Sequence, residues 1–274
     1  MILDEMIAAA IMAGRAEHAI YRRGFDVRIK ADRSPVTDAD EAAEAIILER
    51  LTACAPAIPV VAEERAARHG VPAQAGNEFF LVDPLDGTKE FIEHRGDFTV
   101  NIALIRAGVP VLGVVYAPAN ARLFAGDVAA SSAWRCQQDP ESEVRSAREP
   151  IHVRSVPAAG VTAVASRSHR TPETDTYLAA YRVADLVSIG SSLKFCLLAE
   201  GQADLYPRLG PTMEWDTAAG NAVLLAAGGA VFAPDGQPLR YGKPHFRNSW
   251  FVATGGALKV APLPHTAAAQ SART

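Results

Sequence analysis

Phe79-Phe80-Leu81-Val82-Asp83-Pro84-Leu85-Asp86-Gly87-Thr88 is the stretch on which the reading of this chain turns. Four consecutive apolar residues read as a strand buried on both faces, and that strand delivers Asp83 to its end, where ligand sites of α/β sheets gather. The turn that follows packs a second carboxylate, a glycine and a hydroxyl together. Two carboxylates with no neighbouring base repel each other unless a cation intervenes. Hard divalent ions such as Mg²⁺ take oxygen ligands from one or two carboxylates and complete their shell with water and substrate phosphates. The stretch therefore predicts a metal and phosphate site.

Upstream, Pro59-Val60-Val61-Ala62 reads as a short strand that delivers Glu63 and Glu64. Residues 2 to 23 repeat apolar positions at helical spacing and are followed by Gly24, which predicts a long first helix with Gly14 as an unfavourable interior residue. Ser34 to Asp38 offers a cap, with Glu41 three residues beyond Asp38, for a second helix reaching about Thr52 with Asp40 in its first turn. Downstream, Phe98 to Ile105 and Val111 to Tyr116 flank Ala107-Gly108-Val109-Pro110 as an antiparallel hairpin, continued by a strand around Arg122 to Phe124. The polar stretch Gln137 to Pro150 suggests a boundary between two halves, giving an N-terminal α+β lobe with an antiparallel sheet over 1–150. Beyond it, strand patterns at Val161 to Ala165, Val183 to Ile189 and Ala230 to Phe232 alternate with helical ones at Pro172 to Tyr181, Ser192 to Glu200 and Asp216 to Ala227. That alternation predicts an α/β lobe over 151–262, and 263–274 reads as a disordered tail.

Bulk properties narrow the function. The chain has 274 residues and a net charge of −4, which disfavours nucleic acid as a partner because such proteins carry a basic footprint. Its three cysteines, Cys54, Cys136 and Cys196, lack metal-ligand spacing and read as reduced thiols of a cytosolic protein. Acids at the start, Asp4 and Glu5, do not suit a signal peptide, and no window approaches the roughly 20 apolar residues of a spanning helix.

A second acidic cluster, Glu214-Trp215-Asp216-Thr217-Ala218-Ala219-Gly220, opens an apolar helix that ends at Gly228-Gly229. Taken alone, Asp216 reads as a charge complementing the helix dipole, worth about 0.3–1 kcal/mol. Together, however, Asp83 to Thr88, Trp215 to Gly220 and Gly228-Gly229 resemble the two signatures of the inositol monophosphatase superfamily of lithium-sensitive, Mg²⁺-dependent phosphatases. The likeness extends over nearly the whole chain. Lys89-Glu90-Phe91-Ile92, Gly190-Ser191-Ser192-Leu193-Lys194-Phe195-Cys196 and Leu205 to Pro211 resemble the bacterial CysQ-type 3′(2′),5′-bisphosphate nucleotidases within it.

The resemblance implies an α/β fold, the layered α-β-α-β-α sandwich of the inositol monophosphatase and fructose-1,6-bisphosphatase type. It implies two or three Mg²⁺ ions, the first held by Glu63, Asp83 and the Leu85 carbonyl, the second by Asp83, Asp86 and Asp216. Thr88 and Asp40 take the roles of orienting and helping to deprotonate a water. A shared carboxylate between two ions suits a clamp that steadies attacking and leaving oxygens. Glu64 is either a solvated acid or a partner of the ligands. Substrate contacts are expected from Glu63, Leu85, Asp86, Gly87, Thr88, Lys89, Ser191, Ser192, Lys194 and Asp216, with the backbone at Gly87 to Lys89 opening a short helix toward phosphate. Lys194 is the candidate for the second phosphate, against the alternative of a solvated lysine on a first helical turn; Arg167, His169 and Arg170 are further candidates. Trp215 reads as core packing rather than an adenine stacker, and Tyr206 and Arg208 fit base recognition or bracing equally well. The activity implied is hydrolysis of adenosine 3′,5′-bisphosphate to AMP and phosphate, with the 3′-phosphosulfate analogue as a second substrate in sulfate assimilation. The location implied is cytoplasmic, with peripheral attachment to the inner membrane left open. An inositol or sugar monophosphatase and a non-catalytic scaffold or RNA-associated protein are the competing readings.

Overall fold

The computed structural model describes residues 1–30, 34–166 and 171–263. α1 (Ile2–Arg23) and α2 (Asp38–Cys54) pack together, joined through a hairpin of β1 (Val27–Ile29) and β2 (Pro35–Thr37). Gly14 in α1 has a steric reason: a Cβ there would sit 2.4 Å from the Tyr116 ring. The cap of α2 differs from the expected one by a residue. β2 runs through Thr37, so Thr37 is the N-cap and Asp40, not Glu41, closes the capping box. That shift ties the Asp40 carboxylate to the Thr37 backbone amide.

The chain then forms β3 (Val60–Ala62), α3 (Glu63–His69), β4 (Glu78–Asp86), α4 (Thr88–Ile92), β5 (Thr99–Arg106), β6 (Val109–Ala117), β7 (Arg122–Asp127), β8 (Ser132–Gln137) and β9 (Glu149–Pro150). A 3-10 turn, Pro118–Asn120, links β6 to β7. These strands make one seven-stranded sheet in the order β3-β4-β5-β6-β7-β8-β9. It is antiparallel throughout except at β3 and β4, which run parallel with Ala62 opposite Val82. The polar stretch after Gln137 folds back on the same sheet, with Pro150 opposite Trp134, and Arg15 and Arg22 of α1 pair with its Glu143 and Glu141.

The remaining elements are β10 (Val161–Ser166), α5 (Pro172–Leu178), β11 (Val183–Ile189), α6 (Leu193–Ala199), β12 (Leu205–Arg208), α7 (Trp215–Ala226), β13 (Ala230–Phe232) and β14 (Phe251–Thr254). Their sheet has the order β11-β10-β12-β14-β13. β12 and β14 have no clear period in the sequence because Leu205–Arg208 is buried along its whole length.

Alternation along β4 and β5 explains the layering. Phe80, Val82, Ile102 and Leu104 point to a core shared with Met6, Ile47 and Leu51 of α1 and α2. Phe79, Leu81, Ala103 and Ile105 point to the opposite core, shared with α6 and α7 and with Tyr206, Phe251 and Ala253 of the second sheet. The far face of that sheet, Val161, Ala163, Leu205 and Val252, is covered by Tyr177 and Leu178 of α5. The order is helices, sheet, helices, sheet, helix. α7 lies so close to the first sheet that a Cβ at Gly113 would meet the Ala219 carbonyl at 2.4 Å.

Candidate active site

Strand register assembles the acids. Parallel pairing of Ala62 with Val82 sets Glu63, the first residue of α3, beside Asp83. β4 then breaks register with β5 between Asp83 and Asp86, so the Pro84-Leu85 segment bulges out of the ladder. The N-terminus of α7 reaches the same place and brings Asp216. Carboxylate oxygens of Glu63, Asp83 and Asp216 come within 4.8 Å of one another. Asp86 stands outside this trio; it accepts from Asn101 Nδ2 at 3.3 Å.

The electrostatics of the trio are those of an anionic cage. Burial pushes Asp83 well above the usual carboxylate range, and repulsion from Glu63, Asp86 and Asp216 adds to it. Asp216 is raised in the same way by burial, then by Asp86 and Glu63. Burial lifts Asp86 to about 6 against the pull of the Lys194 ammonium. Three of the four acids also accept from the backbone: Leu85 N donates to Asp83 Oδ1 at 3.1 Å, Met213 N donates to Asp216 Oδ2 at 2.8 Å, and the Ser192 amide donates to Asp86. An all-oxygen set of clustered, partly buried carboxylates fits a hard divalent cation such as Mg²⁺. Lys30 donates to Glu63 Oε1 at 2.7 Å and also pairs with Glu64, whose carboxyl burial lifts to about 7 despite that bond. Glu64 is buried, so it is a partner of the ligands' neighbour rather than a solvated acid.

Thr88 Oγ1 lies 3.4 Å from Asp40 Oδ1 and 3.3 Å from the Leu85 carbonyl, so one hydroxyl proton is divided between two acceptors. Asp40 Oδ2 accepts from both the Thr37 amide and the Thr37 hydroxyl at 2.8 Å. Burial raises Asp40 to about 6, and the two Thr37 bonds hold it from rising further. Gly87 adopts φ 98°, and a Cβ there would meet the Asp97 carbonyl at 3.0 Å. The left-handed turn and the tight fit both require glycine.

These residues open onto a cavity of 790 Å³, within the range of small-molecule sites. Glu63, Asp83, Leu85, Asp86, Gly87, Thr88, Lys89 and Asp216 form its acidic wall, and Ser191, Lys194, Tyr206 and Arg208 also line it, with the Lys194 charge acting on Asp86. Lys194 is buried, in contrast to a solvated first-turn lysine. Its ammonium donates to the Ser191 carbonyl and sits 5.5 Å above the Tyr206 ring. Burial lowers its pKa to about 8, opposed by the charge of Asp86. Ser192 does not line the cavity: Asn101 Nδ2 donates to its hydroxyl at 3.0 Å, and the hydroxyl donates to the Asp216 carbonyl at 2.8 Å. Its place is between β5 and the start of α7. Arg167, His169 and Arg170 lie outside the described residues.

Two features were not read from the sequence. The first is the setting of Arg208: its Nη2 donates to the Pro211 carbonyl at 2.8 Å while its buried Nε has no partner among the described residues. Asn101 bridges Asp86 and Ser192, a role that an asparagine inside an apolar strand could have signalled. Tyr206 packs edge-on to Phe195 and Phe251, and Trp215 stacks on Phe246 at 6.5 Å, both as core packing.

A sequence profile described as the Inositol monophosphatase family matches residues 2–269. The 3′(2′),5′-bisphosphate nucleotidase CysQ of Escherichia coli strain K12 is 47% identical over 244 residues, covering 88% of this chain and 94% of that protein. The same-named protein of Haemophilus influenzae is 31% identical over 256 residues, covering 89% and 91%. The crystal structure of CysQ from Bacteroides thetaiotaomicron superposes with a TM-score of 0.76 at 40% identity, covering 93% of this chain and 97% of that one.

Proposed function

The chain belongs to the inositol monophosphatase family, and from that premise we propose that it is a metal-dependent phosphatase that removes the 3′-phosphate of adenosine 3′,5′-bisphosphate. The observation that carries this reading is the polarity of the cavity. One wall is a carboxylate cage fit for divalent cations, and the rest of the lining carries Lys194 and Arg208, two buried cations beside Tyr206. A substrate with two phosphates satisfies both walls; a monophosphate satisfies one. Relatives at 31–47% identity whose names specify a 3′(2′),5′-bisphosphate nucleotidase support the same choice.

Glu63, Asp83, the Leu85 carbonyl, Asp86 and Asp216 would hold two or three Mg²⁺ ions. When bound, the ions supply charge neutralisation of the phosphoryl group and acidification of water. The remaining steps belong to the chain. Thr88 accepts a hydrogen bond from the attacking water and donates to Asp40, which aims the water and takes up its proton. Asp40 serves as acceptor because its Oδ1 faces Thr88 while its Oδ2 is fixed by Thr37. The water oxygen forms the new P–O bond as the bond to the ribose 3′-oxygen breaks, and that oxygen takes a proton from solvent as it leaves. Lys194 and Arg208 hold the 5′-phosphate, so the 3′-phosphate is the one presented to Thr88.

Among the described residues no helix is long and apolar enough to cross a membrane. The reading places the enzyme in the cytoplasm, where its substrate arises from sulfate assimilation. Phosphorus NMR of a Mg²⁺ reaction mixture tests it. Loss of the 3′-phosphate resonance, with the 5′-phosphate retained as AMP, is expected; release of the 5′-phosphate would reverse the assigned orientation.

A further inference from the structure

In the β4–β5 ladder Asn101 stands opposite Asp83 and Thr99 stands opposite Asp86, so the pair spans the bulge that carries the acidic turn. Neither has any exposed surface. A primary amide in such a place has two protons to place and an oxygen to satisfy. Thr99 Oγ1 donates to Asn101 Oδ1 at 3.1 Å, while Asn101 Nδ2 donates to Asp86 Oδ2 at 3.3 Å and to Ser192 Oγ at 3.0 Å. The Ser192 hydroxyl in turn donates to the Asp216 carbonyl at 2.8 Å, and the Ser192 amide donates to Asp86. Turned over, the Asn101 amide would set its oxygen against the Asp86 carboxylate, so the Thr99 hydroxyl and that carboxylate together fix which end faces the acids. Ser192 gives up an ordinary role to take part. It is the N-cap of α6, where a serine side chain usually accepts from an amide of the first turn, yet it makes no capping bond.

The bonds therefore join three segments: the end of β4 at Asp86, the start of α6 at Ser192 and the start of α7 at Asp216. In the ligand assignment given above, Asp86 and Asp216 serve the second ion together with Asp83, whereas Glu63 and the Leu85 carbonyl serve the first. The first set has anchors of its own, Lys30 on Glu63 at 2.7 Å and the Leu85 amide on Asp83 at 3.1 Å. We infer that Asn101 and Ser192 form an internal brace that fixes the spacing of Asp86 and Asp216, so that affinity for the second cation, and not for the first, depends on Asn101. The inference rests on the metal reading of the site. Like charges at close range push apart, and a brace that holds them in place before the ion arrives spares the ion that rearrangement. Asn101 touches neither substrate nor reacting atoms; it is a positioning residue that acts through Asp86.

Mn²⁺ titration followed by electron paramagnetic resonance, in which the signal of the free ion measures what is bound, tests this without turnover. The wild type is expected to take up ions in at least two steps. Asn101→Leu, similar in size but without a donor, is expected to leave one step within about twofold and to weaken the other by about 10- to 100-fold. The Mg²⁺ concentration for half-maximal phosphate release rises by a similar factor, while kcat at saturating Mg²⁺ stays within about threefold of wild type. Equal weakening of both steps, or of neither, overturns the proposal. Should that variant not fold, Thr99→Val and Ser192→Ala keep the amide and cut the chain of bonds at either end; each is expected to weaken the same step by about three- to tenfold, and equal effects on both steps overturn the proposal there too. Asp83→Asn, titrated alongside, separates this inference from the reading beneath it. Unchanged binding in Asp83→Asn would remove the metal reading and the brace with it, whereas loss of both steps there, with both intact in Asn101→Leu, would remove the brace alone.

Discussion

The two walls of the cavity are built by opposite means. Glu63, Asp83 and Asp86 come from strand ends of the first sheet and, with Asp216, form a wall that repels itself. Lys194 and Arg208 come from α6 and β12 on the second sheet and are held by their own backbone, the Ser191 and Pro211 carbonyls. The acidic wall needs cations from outside; the basic wall brings its own. In the proposed reading the difference separates chemistry from choice of substrate, with the first wall acting on any phosphate ester and the second recognising a second phosphate.

The comparison breaks most completely at Asp83, the acid that faces both Glu63 and Asp216. Asp83→Asn is expected to lower phosphate release by at least about a hundredfold and to weaken Mg²⁺ binding in calorimetry. Activity near wild type at saturating Mg²⁺ would remove Asp83 from the metal set. Thr88→Val comes next, with kcat down about a hundredfold or more and KM little changed, as befits a group that acts on the water. A rise in KM alone would move Thr88 to substrate binding.

On the basic wall, Lys194→Met is expected to raise KM for the bisphosphate by about tenfold, the worth of one charge-assisted hydrogen bond, and to spare a monophosphate. Equal effects on both esters would assign Lys194 to packing. The smallest effect concerns pH. Asp40 must be ionised to accept a proton, and burial raises it to about 6, so rates are expected to fall as pH drops through that region. Thr37→Val removes one donor to the charged form and is expected to move the acid limb to higher pH by less than about one unit. A shift to lower pH would contradict the bonding described.

How much of this was legible follows the same division. Asp83, Asp86 and Thr88 stand within six residues of one another after an apolar run, so the acidic turn was plain in the sequence, and so was the strand that carries it. The layered fold was implied by the family resemblance, and Phe79 to Val82, apolar at every position, are covered on both faces as that layering requires. Asp216 was ambiguous by itself: a helix N-terminus favours an aspartate with or without a ligand. The basic wall was harder. Lysine and arginine are read as solvated by default, and only tertiary packing buries Lys194 against Tyr206 or leaves Arg208 Nε without a partner. For Ser192 the sequence does not show the partners that tertiary packing supplies: its hydroxyl lies between Asn101 and the Asp216 carbonyl, and its amide donates to Asp86. The cap at Thr37 was misplaced by one residue because Asp38 and Glu41 have the same spacing as Thr37 and Asp40.

The central claim, that one wall sets the chemistry and the other the substrate, is tested most directly by competition. Adenosine 3′,5′-bisphosphate and inositol 1-phosphate, supplied together with Mg²⁺, give the ratio of their kcat/KM values from the two rates of consumption. The account predicts a ratio of at least about a hundredfold in favour of the bisphosphate, falling by about tenfold in Lys194→Met. Faster consumption of the inositol ester would contradict it.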